Sequence, residues 1–299
     1  MNRLNYEKVF KTLVEETGNY LVNHSLRAMV LGVSGGIDST VVAAICCEVN
    51  KQTNIPLIGR SLPIKNKKDE FDVSTLVGEA FCNNFDVANL YDEYKYLLSG
   101  LVWREERIDL LDNTETMHPE KSKQQTLIAN GNIQARLRMI YLYNLASIHN
   151  GLVMSTDNQT EYQLGFWTIH GDVGDFDPIQ DLWKTEVYQL AEWLKLFYYT
   201  DGDDADKAVA IGESIKLTPT DGLGISNSDL DQIGAKSYND VDRVLQTLVC
   251  PASPENDRVQ DALTVEIGPE IIDKIIKRRR NSKFKREKSP IYISRERYE

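Results

Sequence analysis

The feature that most constrains the fold is an apolar run that ends in a glycine turn. Residues 28–33 read Ala-Met-Val-Leu-Gly-Val, and Ser34-Gly35-Gly36 follow directly. A continuous apolar run of this kind predicts a strand buried on both faces, and the glycines predict a tight turn at its end. Apolar side chains at helical spacing over residues 38–50 then predict a helix. We therefore expect a strand–turn–helix unit here.

The same alternation of strands and helices continues along the chain. Further strands are predicted over 55–62, 85–90 and 151–155, and further helices over 5–26, 124–149 and 181–197. This alternation indicates an α/β fold with a doubly wound, Rossmann-like parallel sheet flanked by helices. In such folds, ligands bind at the carboxyl ends of the strands. The polar segments 112–123 and 201–229 are expected to be loops.

The distribution of charge limits the partners that the chain can have. Its formal net charge is −11, from 34 basic and 45 acidic residues. Residues 277–288 hold eight basic residues and one glutamate, a local charge of +7, so the other 287 residues carry −18. A body this acidic argues against a general binder of nucleic acid or of anionic membranes. The basic run is compatible with a local anion site.

Composition also bears on the compartment and the number of domains. No apolar stretch approaches the ~20 residues that span a bilayer, and the first residues lack a signal peptide, so we expect a cytoplasmic protein. The four cysteines show no C-x-x-C spacing, which argues against a zinc site or a disulfide framework. We expect one domain over 1–299, with an N-terminal helix at 5–26 and a C-terminal helical segment and basic tail at 265–299.

The glycine turn has the composition of a phosphate-binding loop. Small residues let the backbone approach a ligand closely, and the following helix directs its free N–H groups toward the same point. Ser34, Ser39 and Thr40 add hydroxyl donors. Asp38 would repel phosphate, unless a Mg²⁺ ion lies between the carboxylate and the phosphate oxygens.

Three interpretations of this turn compete. In the first, it is an ordinary strand-to-helix turn, and Asp38 stabilises the helix N-terminus. In the second, Gly32-x-Ser34-x-Gly36 is the nucleophile turn of a serine hydrolase, which needs a later histidine; the last histidine, however, is His170. In the third, the turn binds nucleotide phosphates, although the Walker pattern G-x-x-x-x-G-K-[ST] is absent from it.

The turn and five distal segments resemble one enzyme family. Ser34–Ser39 is similar to the SGGxDS loop of the ATP pyrophosphatases, which cleave ATP between the α and β phosphates to adenylate a substrate. Segments in the order of the NAD synthetase motifs follow: they are Asn132–Met139, Ser155–Glu161, Gly171–Lys184, Thr218–Asp242 and Lys285–Pro290. The resemblance covers roughly residues 5–291.

This resemblance implies both a fold and an activity. The fold would be adenine nucleotide alpha hydrolase-like, and the enzyme would be a homodimeric ligase of NAD biosynthesis that binds neither nucleic acid nor membranes. It would amidate deamido-NAD to NAD through an adenylated intermediate, with ATP as co-substrate, Mg²⁺ as cofactor, and AMP and pyrophosphate as products. About 27 residues precede the first strand, too few for a glutaminase domain, so the expected nitrogen source is free ammonia or a partner that supplies it.

The family motifs also imply roles for individual residues. ATP would contact Gly32, Val33, Ser34, Gly35, Gly36, Ile37, Asp38, Ser39, Thr156, Lys184 and Thr220. Deamido-NAD would contact Arg136, Phe166, Asp175 and Lys285. Mg²⁺ would bind Asp38 and Glu161. Catalysis would depend on Asp38, Glu161 and Lys184, and Asp175 would take a proton from ammonium.

Three positions depart from the family pattern. Asn158 stands where many members have a histidine, Ile169 replaces a lysine common in ammonia-dependent members, and Phe284 replaces the histidine of the closing H-K-R. Two alternative functions remain. One is another adenylating ATP pyrophosphatase, such as a tRNA-modifying enzyme, against which the acidic body argues. The other is a non-catalytic ATP-binding regulator, which the presence of Asp38 and Glu161 disfavours.

Overall fold

A computed structural model describes residues 4–111, 123–200, 204–219, 228–249 and 263–287. Its centre is a parallel sheet of four strands, in the order β3-β2-β1-β4. The strands are β1 (Ala28–Gly32), β2 (Leu57–Ser61), β3 (Asn84–Val87) and β4 (Gly151–Val153). The predicted α/β class and the four predicted strands are therefore confirmed, and each observed strand is shorter than its apolar run.

The strand order creates a crevice at the end of β1. Met29 pairs with Leu57 of β2 on one side, and Ala28 pairs with Gly151 of β4 on the other. The chain therefore passes from β1 outward through β2 to β3 and then crosses back to β4 on the other side of β1. In doubly wound sheets, such a switch point opens a crevice at the carboxyl ends of the strands, where ligands bind. The glycine turn emerges from β1 at this point.

Alternate residues of β1 serve two separate cores, as the period of two in a strand requires. Met29 and Leu31 pack on one face, and Ala28 and Val30 pack on the other. The helices of the first face are α1 (Tyr6–Asn23), α2 (Ile37–Thr53), α3 (Lys68–Phe81), α7 (Lys184–Thr200) and α8 (Ala205–Lys216). Those of the second face are α4 (Tyr91–Leu111) and α5 (Lys123–His149).

A third hydrophobic cluster lies beyond β4. Leu164, Leu245 and Ile275 are among its fully buried side chains. Its helices are α6 (Gln159–Leu164), α9 (Asp229–Ile233), α10 (Tyr238–Val249) and α11 (Pro269–Asn281), with residues 263–267 also helical. A short 3₁₀ helix, Lys283–Arg286, follows α11. This region contains the C-terminal helical segment that the sequence predicted.

The prediction of a loop over 201–229 was wrong for its first half, where helix α8 forms. Ala208, Ala210 and Ile211 of α8 are buried in the first core. These small and apolar side chains pack against α7 and α3, so tertiary contacts outweigh the polar composition of the segment. Residues 220–227 of this segment, and 112–122 of the other predicted loop, lie outside the described residues.

The structure also bears on the cysteines and on membrane-spanning helices. Cys46, Cys47 and Cys82 are free thiols, and Cys250 lies outside the described residues. Burial raises the pKa of the Cys82 thiol to about 12. Across the described ranges, no helix is long and apolar enough to cross a bilayer.

Candidate active site

A cavity of about 680 Å³ opens at the carboxyl ends of the strands. The turn after β1 forms its floor, α5 and α6 contribute to its walls, and Lys184 lines it from the start of α7. Its position is the one that the strand order dictates, beside the switch point of the sheet. The volume lies within the range of small-molecule sites.

Hydroxyl groups hold the glycine turn in shape. The hydroxyls of Ser34 and Ser39 lie 2.9 Å apart, and the Gly36 N–H donates to Ser34 Oγ at 3.2 Å. Helix α2 begins at Ile37, and no side chain caps its N-terminus. The first N–H groups of the helix are thus available to a ligand, which is the arrangement that binds phosphate in other nucleotide sites.

Helix α8 supports the turn from behind. Ser214 Oγ donates to the Gly35 carbonyl at 2.8 Å and lies 2.9 Å from Thr40 Oγ1. Both Ser214 and Thr40 are buried. Helix α8, which was not predicted from the sequence, therefore supplies a contact that fixes the backbone of the turn. The hydroxyl of Thr40 takes part in this contact.

Gly35 is required by both its backbone conformation and the space around it. Its φ is +82°, and a Cβ atom would lie 2.8 Å from Glu70 O and Ser74 N of helix α3.

Gly35→Ala should lower the free energy of unfolding by about 2–4 kcal/mol, since left-handed strain adds to a clash with backbone. Urea unfolding measures this. Gly100→Ala in α4 is the control, since its Cβ meets no described atom within 4 Å. It should stabilise by about 0.5–1 kcal/mol, and equal losses in both variants would contradict the account.

A buried lysine bridges two carboxylates at the centre of the cavity. Lys184 Nζ lies 2.5 Å from Asp38 Oδ2 and 3.0 Å from Glu161 Oε1. The Lys184 side chain is 2% exposed, and those of Asp38 and Glu161 are 16% and 18% exposed. Burial alone would lower the pKa of Lys184, but the two negative charges outweigh it and raise the pKa well above its ordinary value. The lysine is therefore a fixed positive charge beside the glycine turn.

Asn158 orients both carboxylates. Its Nδ2 donates to Asp38 Oδ1 at 2.8 Å, and its Oδ1 accepts from the Glu161 N–H at 3.1 Å as the N-cap of α6. Its own backbone N–H donates to Glu161 Oε2 at 3.3 Å. Asn158 is fully buried. One of the departures from the family pattern thus connects the two residues predicted to bind Mg²⁺.

A second buried network fixes Lys184 at the N-terminus of α7. Thr160 Oγ1 donates to Asp242 Oδ1 at 2.5 Å and accepts from the Lys184 backbone N–H at 2.9 Å. The Thr185 N–H donates to Asp242 Oδ2 at 2.9 Å. Because Asp242 lies on α10, the third hydrophobic cluster is tied directly to the site. Asp242 ends one of the family-like segments, and its sequence position alone indicates no role.

Further carboxylates lie beneath the site. Burial raises the pKa of Asp177 to about 7 and raises that of Asp157 well above the usual range. Asp157 accepts a hydrogen bond of 2.8 Å from Ser155 Oγ. Within the described structure, Asp177 Oδ2 is buried without a hydrogen-bond partner. Burial therefore favours the protonated, uncharged forms of these two carboxyl groups.

Comparison with known proteins identifies the family. A family model described as NAD synthase matches residues 9–289. The chain belongs to the NAD synthase family. An NH(3)-dependent NAD(+) synthetase of Wolinella succinogenes is 30% identical over 294 residues, which cover 97% of each chain. A solved NMN synthetase of Francisella tularensis has a TM-score of 0.72 at 23% identity, covering 98% of this chain and all of that one.

A second solved structure has the same fold. It is the NH3-dependent NAD synthetase of Campylobacter jejuni, with a TM-score of 0.66 and 22% identity, covering 97% of this chain and 100% of that one. The Rossmann-like, adenine nucleotide alpha hydrolase type of fold is therefore confirmed. The resemblance to the NAD synthase family, inferred from short motifs, is confirmed over most of the chain.

The cavity contains most of the residues that the family resemblance singled out. The turn residues other than Gly35 line it, and so do Thr156, Glu161, Phe166, Lys184 and Lys285. Thr220 lies outside the described residues. Arg136 and Asp175 are not part of the lining. Arg136 is exposed and donates to the Ile169 carbonyl at 3.0 Å, while Asp175 accepts from the Tyr143 hydroxyl at 3.0 Å.

Arg138, rather than Arg136, lines the cavity. Its Nε donates to the Leu62 carbonyl at 3.0 Å, and a second nitrogen donates to Asn66 Oδ1 at 3.2 Å. Burial lowers the pKa of Arg138 to about 10. Positions 136 and 138 point to opposite sides of α5, because two residues turn a helix by about 200°. The motif contains both arginines and therefore does not show which one faces the site.

A positively charged wall closes the far end of the cavity. Lys285 Nζ donates to the Gly165 carbonyl at 2.7 Å and to that of Trp167. Arg278 stacks on Phe166, with its guanidinium carbon 3.8 Å from the ring centre. Burial lowers the pKa of Lys285, and the charge of Asp172 opposes this effect. Arg278 was not among the predicted site residues, because a run of arginines is typical of a solvated helix end.

Proposed function

We propose that this chain is an ammonia-dependent ligase that amidates deamido-NAD to NAD and converts ATP to AMP and pyrophosphate. Family membership supports the activity, and one observation carries its assignment to this cavity. That observation is the buried Lys184, held between Asp38 and Glu161 beside a glycine turn at the switch point of the sheet. The chain thus combines a phosphate cradle, a fixed cation and paired carboxylates.

The ATP phosphates would lie on the glycine turn. The free N–H groups at the start of α2 and the hydroxyls of Ser34 and Ser39 would donate to phosphate oxygens. Thr156, at the end of β4, lines the same cavity. The Nζ of Lys184, beside the turn, would face the α and β phosphates, where negative charge grows as pyrophosphate leaves.

Asp38 and Glu161 fit a Mg²⁺ site. Magnesium prefers oxygen ligands and is usually held by one or two carboxylates together with substrate phosphates. In the described part of the chain, no group of three or more metal-binding side chains is assembled, so the phosphates would complete the coordination. When bound, the ion would offset the charge of the ATP phosphates and of the departing pyrophosphate. Asn158 would keep the two carboxylates oriented toward it.

The acceptor would occupy the positively charged wall. Phe166 offers a ring for stacking, and Lys285 and Arg278 offer charge to a pyrophosphate bridge. The nicotinate carboxylate would attack the α phosphorus of ATP, and the bond to the β phosphate would break. Ammonia would then add to the acyl carbon and release AMP. The described residues would act by position and charge, since this route needs no covalent nucleophile from the protein.

We further propose a homodimer that places Arg136 and Asp175 at the acceptor site. Exposed apolar side chains share the outer face of α5 with Arg136: Ile140 is 65% exposed, and Tyr143, the partner of Asp175, is 38% exposed. Large exposed apolar groups grouped on one helix are typical of interfaces. A second copy on this face would bring Arg136 and Asp175 toward a shared dinucleotide site.

The dimer is testable by substitution. Ile140→Glu with Ile148→Glu should shift the chain from dimer to monomer in sedimentation, since each charge would be buried at the interface. Leu196→Glu with Tyr199→Glu on α7 is the matched control, because these side chains are 62% and 75% exposed on another face. A monomeric parent protein, or equal dissociation of both variants, would contradict the proposed interface.

We also propose that the three hydrophobic clusters form one domain. The bonds from Asp242 of α10 to Thr160 and Thr185 support this, because they join the third cluster to α6 and α7 through buried groups. A single unfolding transition in urea, followed by two independent probes, is the expected result. Two separate transitions would contradict it.

The activity itself is tested by product analysis. The protein is incubated with ATP, Mg²⁺, deamido-NAD and ammonium, and we expect NAD and AMP in equal amounts. Because one structural relative is described as an NMN synthetase, nicotinate mononucleotide is tested in parallel as the acceptor. The proposal would be contradicted if the folded protein formed no product, or if it formed AMP but amidated neither acceptor.

A further inference from the structure

A second cavity, separate from the first, lies at the C-terminal end of α11. Its volume is about 380 Å³, and four cationic side chains line it: Arg279, Arg280, Lys283 and Arg286. One carboxylate, Glu287, also lines it, which leaves a net charge of 4 − 1 = +3. We call this space the basic cavity. A concave surface with such an excess of positive charge attracts anions.

Two of the four cations are fixed by uncharged partners. Arg279 Nε donates to Gln163 Oε1 at 2.9 Å, and Arg286 donates to the Gln163 carbonyl at 2.6 Å. A second nitrogen of Arg286 donates to the Arg279 carbonyl at 2.6 Å. The guanidinium groups are thus positioned by amides and carbonyls, which orient them but leave their charge in place.

The positive charge of the basic cavity is not neutralised from within. Among the described residues, no ion pair joins any of its four cations to a carboxylate. Burial and the neighbouring charge of Arg279 lower the pKa of Arg286, so the two guanidinium groups repel each other. A bound anion would relieve this repulsion and accept hydrogen bonds from nitrogen atoms that remain unused.

The basic cavity is distinct from the candidate active site. Lys285 points into the large cavity, where it contacts the carbonyls of Gly165 and Trp167. Its neighbour Arg286 lines the basic cavity instead. The lining of the large cavity includes none of the four cations. Helix α6 contributes Glu161 to the large cavity, while its Gln163 accepts hydrogen bonds from Arg279 and Arg286 of the basic cavity.

The helix dipole accounts for part of this charge but not for all of it. Arg279 and Arg280 lie in the last turn of α11, where positive charge is mildly stabilising. Lys283 and Arg286 lie beyond the end of that helix, in the following 3₁₀ turn. These side chains also share one concave space with Leu248 and Ile276, which supply its apolar part.

We propose that the basic cavity is a second anion site, which binds a phosphate-bearing ligand no larger than a mononucleotide. The four cations would contact the phosphate, and Leu248 and Ile276 would contact the organic part of the ligand. Inorganic pyrophosphate and AMP share this phosphate chemistry, and both fit the volume. Binding of AMP more tightly than pyrophosphate would assign the apolar wall to a nucleoside.

Calorimetric titration tests the site with each probe separately. A non-hydrolysable ATP analogue, Mg²⁺ and deamido-NAD first saturate the ATP and acceptor parts of the large cavity, and pyrophosphate or AMP is then added. We expect one remaining site in the parent protein and binding at least about tenfold weaker in the Arg280→Gln/Lys283→Gln variant. Both side chains are exposed, and no hydrogen bond to them is seen in the described chain, so this variant should fold normally.

A matched control separates a specific site from a general effect of charge. Lys274→Gln/Lys277→Gln removes two positive charges from the same helix outside the basic cavity, and binding should stay within about twofold of the parent. Equal affinity in the parent and the cavity variant, or an equal loss in both variants, would overturn the proposal. Neither variant changes a residue that lines the large cavity, so the difference between them can be absent even where the proposed ligase activity holds.

Discussion

Replacement of Lys184 by methionine should lower kcat/KM by about 10³-fold or more, because it removes the cation that faces the leaving pyrophosphate. It should also lower the free energy of unfolding by about 3 kcal/mol, since Asp38 and Glu161 would then face each other without a compensating charge. The 2.5 Å and 3.0 Å contacts of Lys184 make both effects large. Steady-state kinetics and urea unfolding measure them.

The same variant should respond differently to Mg²⁺. In the absence of nucleotide, Mg²⁺ should raise the melting temperature of Lys184→Met more than that of the parent, because the ion can replace the missing charge between the carboxylates. Lys195→Met is the matched control: it lies on the same helix, is 44% exposed and pairs with Glu192 at 3.8 Å. It should retain activity. A Lys184→Met enzyme with near-normal kcat/KM would remove Lys184 from the reaction.

Asp38→Asn should lower turnover by about 10³-fold while the chain remains folded. The amide is similar in size to the carboxylate, and its oxygen can still accept from Lys184 or Asn158, so the core of the site is kept. What is lost is a negative charge that Mg²⁺ requires. The concentration of Mg²⁺ for half-maximal activity should therefore rise together with the loss of rate.

Asp181→Asn provides the control for Asp38→Asn. Asp181 is exposed and lies three residues before Lys184. Its substitution therefore removes one negative charge close to the start of α7. Its activity and Mg²⁺ dependence should match those of the parent. If Asp38→Asn kept near-normal turnover, or lost rate with an unchanged Mg²⁺ dependence, Asp38 would not belong to the metal site.

The sheet and the glycine turn could be predicted because local sequence determines them. The apolar run before Ser34 is short, continuous and followed by glycines, which is typical of a strand within a core, and the positive φ of Gly35 favours a glycine. Helix α8 was missed because its stability comes from packing against α7 and α3. Such contacts join segments that are distant in sequence, so periodicity within a single segment does not show them.

Sequence motifs indicate which residue types belong to the candidate site. They do not indicate which way each side chain points. Asp38, Glu161 and Lys184, which the family resemblance singled out, lie together in one cavity, with Lys184 bridging the two carboxylates. Arg136 and Arg138 differ by two positions on one helix, and only the packing of α5 shows which one enters the cavity. Asn158 departs from the family pattern in the sequence. Only the three-dimensional structure shows that it links the two carboxylates.

An oxygen-transfer experiment tests most directly the claim that ATP activates the acceptor carboxylate at its α phosphate. Deamido-NAD labelled with ¹⁸O in the nicotinate carboxylate is converted with ATP, Mg²⁺ and ammonium, and the products are analysed by mass spectrometry. The account predicts one ¹⁸O atom in each AMP and one retained in the amide of NAD. Unlabelled AMP, or ADP with ¹⁸O in inorganic phosphate, would contradict it.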